Sequence, residues 1–176
     1  MKTSTVKSIR PYIRPIPDFP KPGIQFWDIT PLVKSPVALH EAVDGLVEPF
    51  ADAGVNLVAG MEARGFIFGA LAAAKLNVGF IPLRKPGKLP YDVQSQRYDL
   101  EYGSASLEVH LDAVERGDRV LLVDDLIATG GTAAASCELI RSLGGDIVGC
   151  TFVVELEALG GRAQLAGERI HTLLEL

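Results

Sequence analysis

A short apolar run that ends in two acids and a turn of small residues sets the narrowest limits on the fold of this chain. The stretch reads Val120-Leu121-Leu122-Val123-Asp124-Asp125-Leu126-Ile127-Ala128-Thr129-Gly130-Gly131-Thr132. Its apolar start indicates a strand that is buried on both faces. The glycines and threonines that follow are typical of a turn that opens a helix, which we predict over residues 131–143. A buried strand that leads into a helix is characteristic of parallel α/β sheets.

The same alternation of strand and helix runs from residue 35 to the end of the chain. Periodicity predicts strands over 55–60, 78–83, 119–123, 147–156 and 169–174, and helices over 35–54, 66–75 and 162–165. Leu107 and Val109 alternate with polar neighbours, as in a half-exposed strand. We therefore predict an α/β fold with a mostly parallel, twisted sheet and helices on both faces. Ligands bind at the carboxyl ends of such strands, which singles out the loops 61–65, 84–103 and 124–132.

Two segments interrupt this alternation. The first 34 residues contain six of the 11 prolines, and proline fixes φ and removes a backbone donor. We predict that residues 1–34 form an irregular hood, part of the same single domain, on a core of residues 35–176. Residues 84–103 are polar and contain helix breakers, so we predict a long mobile loop there.

Composition argues against several classes of function. The chain has 176 residues, of which 48% are hydrophobic and 22% charged, as is ordinary for one soluble domain. A net charge of -5 argues against a broad nucleic-acid surface. The longest apolar run, 65–74, is about half of the roughly 20 residues that a membrane span needs. The two cysteines form no C-x-x-C pair, which argues against zinc, and no secretory signal is visible, so we expect a cytoplasmic protein.

The turn that follows Val123 has the chemistry of a site for a phosphorylated sugar. Two carboxylates about 4 Å apart, such as Asp124 and Asp125, repel by ~4 kcal/mol at an effective dielectric near 20, so they need a counter-charge or hydroxyl donors. Glycines let backbone N–H groups turn inward, and these groups bind phosphate together with a helix N-terminus. Sugar hydroxyls therefore suit the acids and a phosphate suits the turn. The plainer alternative is a structural connection with a solvated acid pair.

This stretch resembles the phosphoribosyl pyrophosphate motif of the type I phosphoribosyltransferase family. The resemblance implies the fold of that family, with Asp124 and Asp125 on the ribose hydroxyls. It implies that the 5-phosphate is bound by Ala128, Thr129, Gly130, Gly131 and Thr132. It further implies Mg²⁺, held mainly by substrate and water and not directly by protein side chains. A homodimer is implied as well, and the charge and the short apolar runs described above argue against binding to nucleic acid or membrane.

Further segments resemble the adenine-specific members of that family, namely 19–31, 60–66, 84–90 and 98–103. The resemblance implies that adenine is recognised in the hood by Gln25, Phe26 and Trp27, although many relatives carry arginine where Trp27 stands. It implies a pyrophosphate site of Glu62, Ala63, Arg64, Arg84, Lys85, Lys88 and Tyr102. It also implies a cis peptide bond between Glu62 and Ala63, and Glu101 as the general acid/base. The plainer alternatives are packing for Phe26 and Trp27, a surface ion pair for Arg64, and solvated loop charges for Arg84, Lys85, Lys88 and Glu101.

The implied reaction is displacement of pyrophosphate from phosphoribosyl pyrophosphate by adenine, which yields AMP in purine salvage. One alternative is the same transfer to hypoxanthine, guanine, xanthine or orotate. Oxopurine enzymes typically read the base with a hood built after the phosphate turn, and only 20 residues follow Leu156. Another alternative is a non-catalytic homologue that senses the ligand and binds DNA, which needs an extra basic domain that this acidic chain has no room for.

Overall fold

The computed structural model of the chain describes residues 8–99 and 104–176. Its strands are β1 (Arg14–Ile16), β2 (Phe26–Asp28), β3 (Leu57–Met61), β4 (Gly79–Leu83), β5 (Val93–Asp99), β6 (Ser104–His110), β7 (Arg119–Ile127), β8 (Asp146–Glu155) and β9 (Ile170–Glu175). Its α-helices are α1 (Thr30–Lys34), α2 (Pro36–Val47), α3 (Gly65–Leu76) and α4 (Gly131–Ser142). Short 3₁₀ segments cover Arg10–Tyr12, Glu48–Phe50, Glu157–Leu159 and Gly161–Leu165. Of the helices described, none is long and apolar enough to cross a bilayer.

A five-stranded sheet in the order β4-β3-β7-β8-β9 forms the centre of the molecule. Every neighbouring pair in it is parallel, which confirms the predicted α/β fold. Two small antiparallel sheets stand apart from it, β1 with β2 in the hood and β5 with β6 in a hairpin. Since all five central strands run the same way, their carboxyl ends share one edge, where ligands bind in folds of this type.

The central strand β7 is buried on both faces, as its apolar run predicts. Leu121 and Val123 belong to a core cluster that includes residues of α2, α3 and the buried apolar residues of the hood. Val120 and Leu122 belong to a second cluster, which includes α4 and residues of β6. All four side chains are 0% exposed, and each contributes about 1.5–3 kcal/mol through burial. Packing on both faces fixes the register of β7 and so the position of the polar residues at its end.

Strand β7 is longer than predicted, because it ends at Ile127 and not at Val123. The backbone of β8 pairs with it throughout, with Asp124 opposite Phe152 and Ile127 opposite Glu155. Backbone pairing does not depend on whether a side chain is apolar, so the strand continues through the acid pair. Asp124 and Asp125 are therefore part of the strand, and the turn before α4 shortens to residues 128–130.

The prediction of a loop over residues 84–103 is wrong for residues 93–99, which form β5. This strand is dominated by polar residues and lacks the apolar alternation by which strands are recognised. It is instead stabilised by pairing with β6 from Val93 opposite His110 to Asp99 opposite Ser104. Reciprocal backbone hydrogen bonds between Arg84 and Glu108, of 2.9 and 2.7 Å, attach the hairpin to the segment after β4.

The helix predicted over residues 35–54 is shorter, because α2 ends at Val47 and a 3₁₀ segment follows. Ser35 caps its start as predicted, with its hydroxyl accepting a hydrogen bond from the Ala38 N–H. Pro49 explains the early end, because proline lacks an N–H and disfavours helical backbone before it. The helix predicted over residues 162–165 is a 3₁₀ segment, and the other predicted elements agree to within two residues at each end.

Candidate active site

A cavity of about 470 Å³ lies at the carboxyl ends of β3 and β7. Most of the residues that sequence analysis selected for sugar, phosphate and pyrophosphate line it: Glu62, Ala63, Arg64, Lys85, Asp124, Asp125, Ala128, Thr129, Gly130, Gly131 and Thr132. The parallel sheet brings these segments together because the loop after β3 and the turn after β7 leave adjacent strands. The structure thus brings the residues predicted to bind the ribose diol, the phosphate and the pyrophosphate together around one cavity.

Arg64 provides the counter-charge that the acid pair requires. Its Nε donates to Oδ2 of Asp125 at 2.5 Å, although the two residues are 61 positions apart in the chain. Asp125 is only 4% exposed, so the ion pair offsets a charge that is largely withdrawn from water. The Arg64 guanidinium also lies 5.3 Å from the centroid of the Phe26 ring, a cation–π distance. One side chain therefore links the acid pair to the hood.

Asp124 is the most strongly perturbed carboxyl group of the cavity. Burial raises the pKa of Asp124 well above its ordinary value of 3.8, and the neighbouring Asp125 carboxylate raises it further. Its Oδ1 accepts a hydrogen bond of 2.8 Å from the Asp125 N–H. Helix α3 approaches closely because Gly65 lacks a side chain, and a Cβ there would lie 2.7 Å from Asp124 Oδ1. The fold therefore holds an acidic group in an unfavourable setting, as is common at functional sites.

The turn at residues 128–130 has little room for side chains on its outer face. Gly130 has a φ of +85°, which favours glycine, and a Cβ there would collide with the carbonyl oxygen of Gly161. A Cβ on Gly161 would likewise collide with the carbonyl oxygen of Ala128. Helix α4 begins directly after the turn, and its first N–H groups lack partners within the helix. This arrangement suits an anion at the inner face of the turn.

Glu62 organises the cations that follow β4. Its Oε2 accepts hydrogen bonds from Arg84 Nε at 3.0 Å and from the Lys85 N–H at 3.1 Å. Burial of Glu62 opposes its ionisation, but these two hydrogen bonds and the positive charges of Arg84 and Lys85 together outweigh burial and lower the pKa of Glu62. Arg84 also donates to the Lys88 carbonyl oxygen at 3.0 Å. Of the three cations, Lys85 lines the cavity, whereas the side chains of Arg84 and Lys88 do not.

A cis peptide bond joins Glu62 and Ala63, as the resemblance implied. It lies in the segment between β3 and α3, and both residues line the cavity. The prediction for this bond is therefore confirmed.

The hood residues selected for adenine lie outside the cavity wall. Phe26 is half-buried, touches Arg64 as described, and packs edge-on against Phe19 with ring centroids 5.1 Å apart. Trp27 pairs with Pro15 in the hood sheet and packs against the core, as in its plainer alternative. Gln25 is exposed. Glu101 and Tyr102, selected for proton transfer and pyrophosphate, lie outside the described residues.

Tyr98 is a cavity residue that sequence analysis missed. It lines the same wall as the acid pair, and Thr132 Oγ1 donates to its hydroxyl at 3.3 Å. Two positions earlier, Gln96 Nε2 donates to Glu138 on α4 at 2.7 Å. Both contacts dock β5 on helix α4, which follows the turn at residues 128–130. The signal available in the sequence was the membership of Tyr98 in the segment 98–103, which resembles one end of the family's catalytic loop.

Comparison with known proteins identifies the family. The family model for the phosphoribosyl transferase domain matches residues 41–165. An adenine phosphoribosyltransferase of Methylococcus capsulatus is 68% identical over 166 residues, which cover 94% of this chain and 97% of that protein. The chain belongs to the adenine phosphoribosyltransferase family. The match to this relative includes nearly the whole chain, so the family assignment does not depend on the phosphate turn alone.

Solved adenine phosphoribosyltransferases share the complete fold. The enzyme of Rhodothermus marinus is 48% identical and superposes with a TM-score of 0.95 over 99% of each chain. That of Saccharomyces cerevisiae is 38% identical, with a TM-score of 0.92 over 98% of this chain and 99% of that one. The yeast enzyme was solved with adenine and an imino-altritol bisphosphate. The fold described above is therefore the fold of adenine phosphoribosyltransferases.

Proposed function

We propose that this chain transfers the 5-phosphoribosyl group from phosphoribosyl pyrophosphate to adenine, giving AMP and pyrophosphate. The observation that supports this most directly is the cavity in which an acid pair and a phosphate-binding turn lie side by side. Membership of the adenine phosphoribosyltransferase family supports adenine as the acceptor base. The proposed organisation is a hood of residues 1–34 and a core of residues 35–176, with a lid at about 84–103 that includes strand β5.

The proposed substrate geometry assigns the sugar to the end of β7. The ribose hydroxyls donate to Asp124 and Asp125, and the 5-phosphate accepts hydrogen bonds from the turn and from the start of α4. Displacement of pyrophosphate leaves positive charge on the ribose ring in an oxocarbenium-like transition state. Carboxylates held beside the ribose stabilise that charge without reorganising, so the cavity acts by positioning and electrostatics.

The leaving pyrophosphate requires positive charge close to the ribose. Arg64 and Lys85 line the cavity and offer it. Arginine suits this task because its planar guanidinium binds phosphate oxygens through two parallel hydrogen bonds. Glu62 contributes by holding Arg84 and the Lys85 backbone, so that these cations stay near the cavity. Closure of the lid over this region would exclude water, which otherwise hydrolyses the activated sugar.

We propose Mg²⁺ as the cofactor, held mainly by substrate oxygens and water. Mg²⁺ prefers oxygen ligands and keeps several waters, often binding through one or two carboxylates and substrate phosphates. Within residues 8–99 and 104–176, no group of three or more His, Cys, Asp or Glu could hold a metal. Asp124 and Asp125 nevertheless offer carboxylate oxygens in the cavity, so the residues present fit this mode of binding. When bound, the ion neutralises charge on the pyrophosphate.

Adenine recognition is proposed for the hood, by the Phe26 ring and the backbone around Gln25 and Trp27. An aromatic face stacks on a flat base, and free backbone groups can read its edge. The contact between Arg64 and Phe26 supports this, because it joins the base and pyrophosphate regions. By resemblance to the family we further propose a cytoplasmic homodimer that binds neither nucleic acid nor membrane, and the net charge of -5 supports the absence of nucleic acid.

A panel of bases tests the proposed function. Adenine, hypoxanthine, guanine, xanthine and orotate are each supplied with phosphoribosyl pyrophosphate and Mg²⁺, and nucleotide formation is measured. We expect kcat/KM for adenine to exceed that for every other base by at least about 100-fold, because a wrong edge leaves hydrogen-bonding groups unpaired. A higher value for another base would favour that acceptor. Binding of phosphoribosyl pyrophosphate without any product would favour a ligand-sensing homologue.

Glu101→Gln is expected to lower kcat by about 100-fold, since general acid/base groups typically contribute 10²–10⁴. The proposed role is proton movement at the adenine ring as the new bond forms. Single-turnover rates measure this step separately from product release. Glu115→Gln, at an exposed position outside the cavity, is the control and should match the unmodified chain. An unchanged single-turnover rate in Glu101→Gln would exclude proton transfer by this residue.

A further inference from the structure

The 3₁₀ segment Gly161–Leu165 forms the outer support of the phosphate turn. The backbone of this segment lies directly against the backbone of the turn. A Cβ on Gly130 would collide with the carbonyl oxygen of Gly161, and a Cβ on Gly161 would collide with that of Ala128. Leu165 is 3% exposed and packs in the cluster that contains Ile127 and Ala133, on either side of the turn. Backbone lies against backbone here, so a shift of this segment moves the turn as well.

Arg162 ties this segment to the end of β8. Its Nε donates to both carboxylate oxygens of Glu155, at 2.7 and 2.9 Å, and its Nη2 donates to Oε2 at 2.7 Å. Nη2 also donates to Thr172 Oγ1 on β9 at 3.1 Å. Glu155 and Thr172 are 4% and 5% exposed, so the guanidinium binds to a buried part of the sheet. Glu155 pairs with Ile127, which is the residue directly before the turn.

We propose that Arg162 is a positioning residue for the 5-phosphate of the substrate, an inference that rests on the proposed function. Arg162 does not line the cavity and acts through its neighbour Gly161. The forked ion pair fixes both the position and the orientation of the segment, and Gly161 transmits this to the backbone of the turn. The N–H groups that receive the phosphate are thereby held in place before the substrate arrives.

Arg162→Lys tests the proposal, because lysine keeps the charge but cannot form the forked contact. Titration calorimetry with ribose 5-phosphate and, separately, pyrophosphate in the presence of Mg²⁺ measures the two halves of the site. We expect the Kd for ribose 5-phosphate to rise about tenfold, a loss comparable to one weakened charged hydrogen bond. The Kd for pyrophosphate should stay within about twofold. The KM for phosphoribosyl pyrophosphate should rise with little change in kcat, as for lost uniform binding.

Arg141→Lys is the matched control. Arg141 forms an ion pair with Glu168 through one hydrogen bond of 2.6 Å, and its side chain is 49% exposed, similar to the 44% of Arg162. It connects the last turn of α4 with the residues after the same 3₁₀ segment, at the far end from the phosphate turn. Weakening this pair should leave the Kd for ribose 5-phosphate unchanged. A structural role shared by all such ion pairs would affect both variants alike.

Gly161→Ala provides an independent test that leaves the side chains of the ion pair in place. Its added methyl group would collide with the Ala128 carbonyl oxygen, so it should weaken ribose 5-phosphate binding at least as much as Arg162→Lys. Gly160→Ala is its control, because a Cβ there meets open space although its φ of +64° is strained. This control should lower the melting temperature with little effect on binding.

The outcomes separate this proposal from the proposed function. If the unmodified chain binds ribose 5-phosphate and both Arg162→Lys and Gly161→Ala bind it equally well, the positioning role is wrong and the function stands. Equal weakening of ribose 5-phosphate and pyrophosphate would also overturn it, since that would indicate general loosening of the fold. If the unmodified chain fails to bind ribose 5-phosphate, the phosphate site itself is wrong, and this proposal with it.

Discussion

Replacing Asp124 and Asp125 together by asparagine is expected to reduce AMP formation by about 1,000-fold while the chain stays folded. Each carboxylate is proposed to accept a hydrogen bond from a ribose hydroxyl and to stabilise positive charge on the ring. A hydrogen bond to a charged group contributes about 1.5–3 kcal/mol, so the loss of two corresponds to about 10²–10⁴ in rate. Initial rates of AMP formation measure the loss, and circular dichroism checks the fold.

The matched control for this prediction is Asp112→Asn, at an exposed position that does not line the cavity. It changes the net charge in the same direction and should keep full activity. Retention of more than about one tenth of the activity by the double variant would contradict the ribose-holding role, because two charged contacts cannot contribute so little.

The single variant Asp124→Asn should raise the melting temperature at neutral pH although it lowers activity. Burial, with the Asp125 charge beside it, raises the pKa of Asp124, so the folded chain holds this proton up to a higher pH than the unfolded chain does. Stability is therefore lost as pH rises from the ordinary value of 3.8 through the raised pKa. Asparagine removes this penalty and can keep the hydrogen bond from the Asp125 N–H. The gain should shrink as pH falls towards 3.8, and a lower melting temperature at neutral pH would contradict the argument.

Arg64→Gln is expected to cut AMP formation by a similar factor, about 1,000-fold, but to lower stability instead of raising it. The activity falls because pyrophosphate loses a bidentate partner, equivalent to two charged hydrogen bonds. The stability falls because Asp125, 4% exposed, loses its counter-charge. Since the Arg64 side chain is 43% exposed, solvent screens the pair, and we expect a loss of about 1–2 kcal/mol. That corresponds to a melting temperature lower by about 2–8 °C.

Two comparisons make the Arg64 prediction specific. Arg64→Lys keeps the charge without the planar fork, so it should retain most of the stability and recover only part of the activity. Arg116→Gln, at an exposed position outside the cavity, should change neither. In the reverse reaction, from AMP and pyrophosphate, the KM for pyrophosphate should rise in Arg64→Gln. An unchanged KM for pyrophosphate together with full stability would contradict this role and favour the alternative that Arg64 forms only a surface ion pair.

The opposite stability changes at Asp124 and Arg64 have a common origin. The fold holds two adjacent carboxyl groups at the end of a buried strand, and the cation Arg64 contacts only Asp125 directly. Removing an acid relieves repulsion, whereas removing the cation increases it. Unrelieved repulsion between two acids is expected at a functional site, where the bound ligand supplies the groups that offset it.

The central sheet was predictable because its strands carry the apolar residues that both faces need. The pattern Val120 to Val123 indicates burial on two sides, and the structure distributes these residues alternately between two core clusters. The end of β7 was not predictable in the same way. Its continuation through Asp124 depends on backbone pairing with β8, which no local pattern records.

The hairpin of β5 and β6 and the contact that supports the turn at residues 128–130 could not be predicted from the sequence. Strand β5 has no apolar alternation, so its sequence predicts a loop. For the same reason the apolar pattern does not indicate that Tyr98 lines the cavity. The need for a counter-charge at the acid pair was foreseen, but its identity was not, because Arg64 lies 61 positions away. The contact between Gly130 and Gly161 likewise exists only once the sheet has brought the two segments together.

A crystal structure of the chain with AMP and Mg²⁺ tests the central claim most directly. We expect the phosphate to lie within about 3.2 Å of N–H groups of residues 128–132, and the ribose hydroxyls at similar distances from Asp124 and Asp125. A ribose bound elsewhere, with this turn empty, would contradict it.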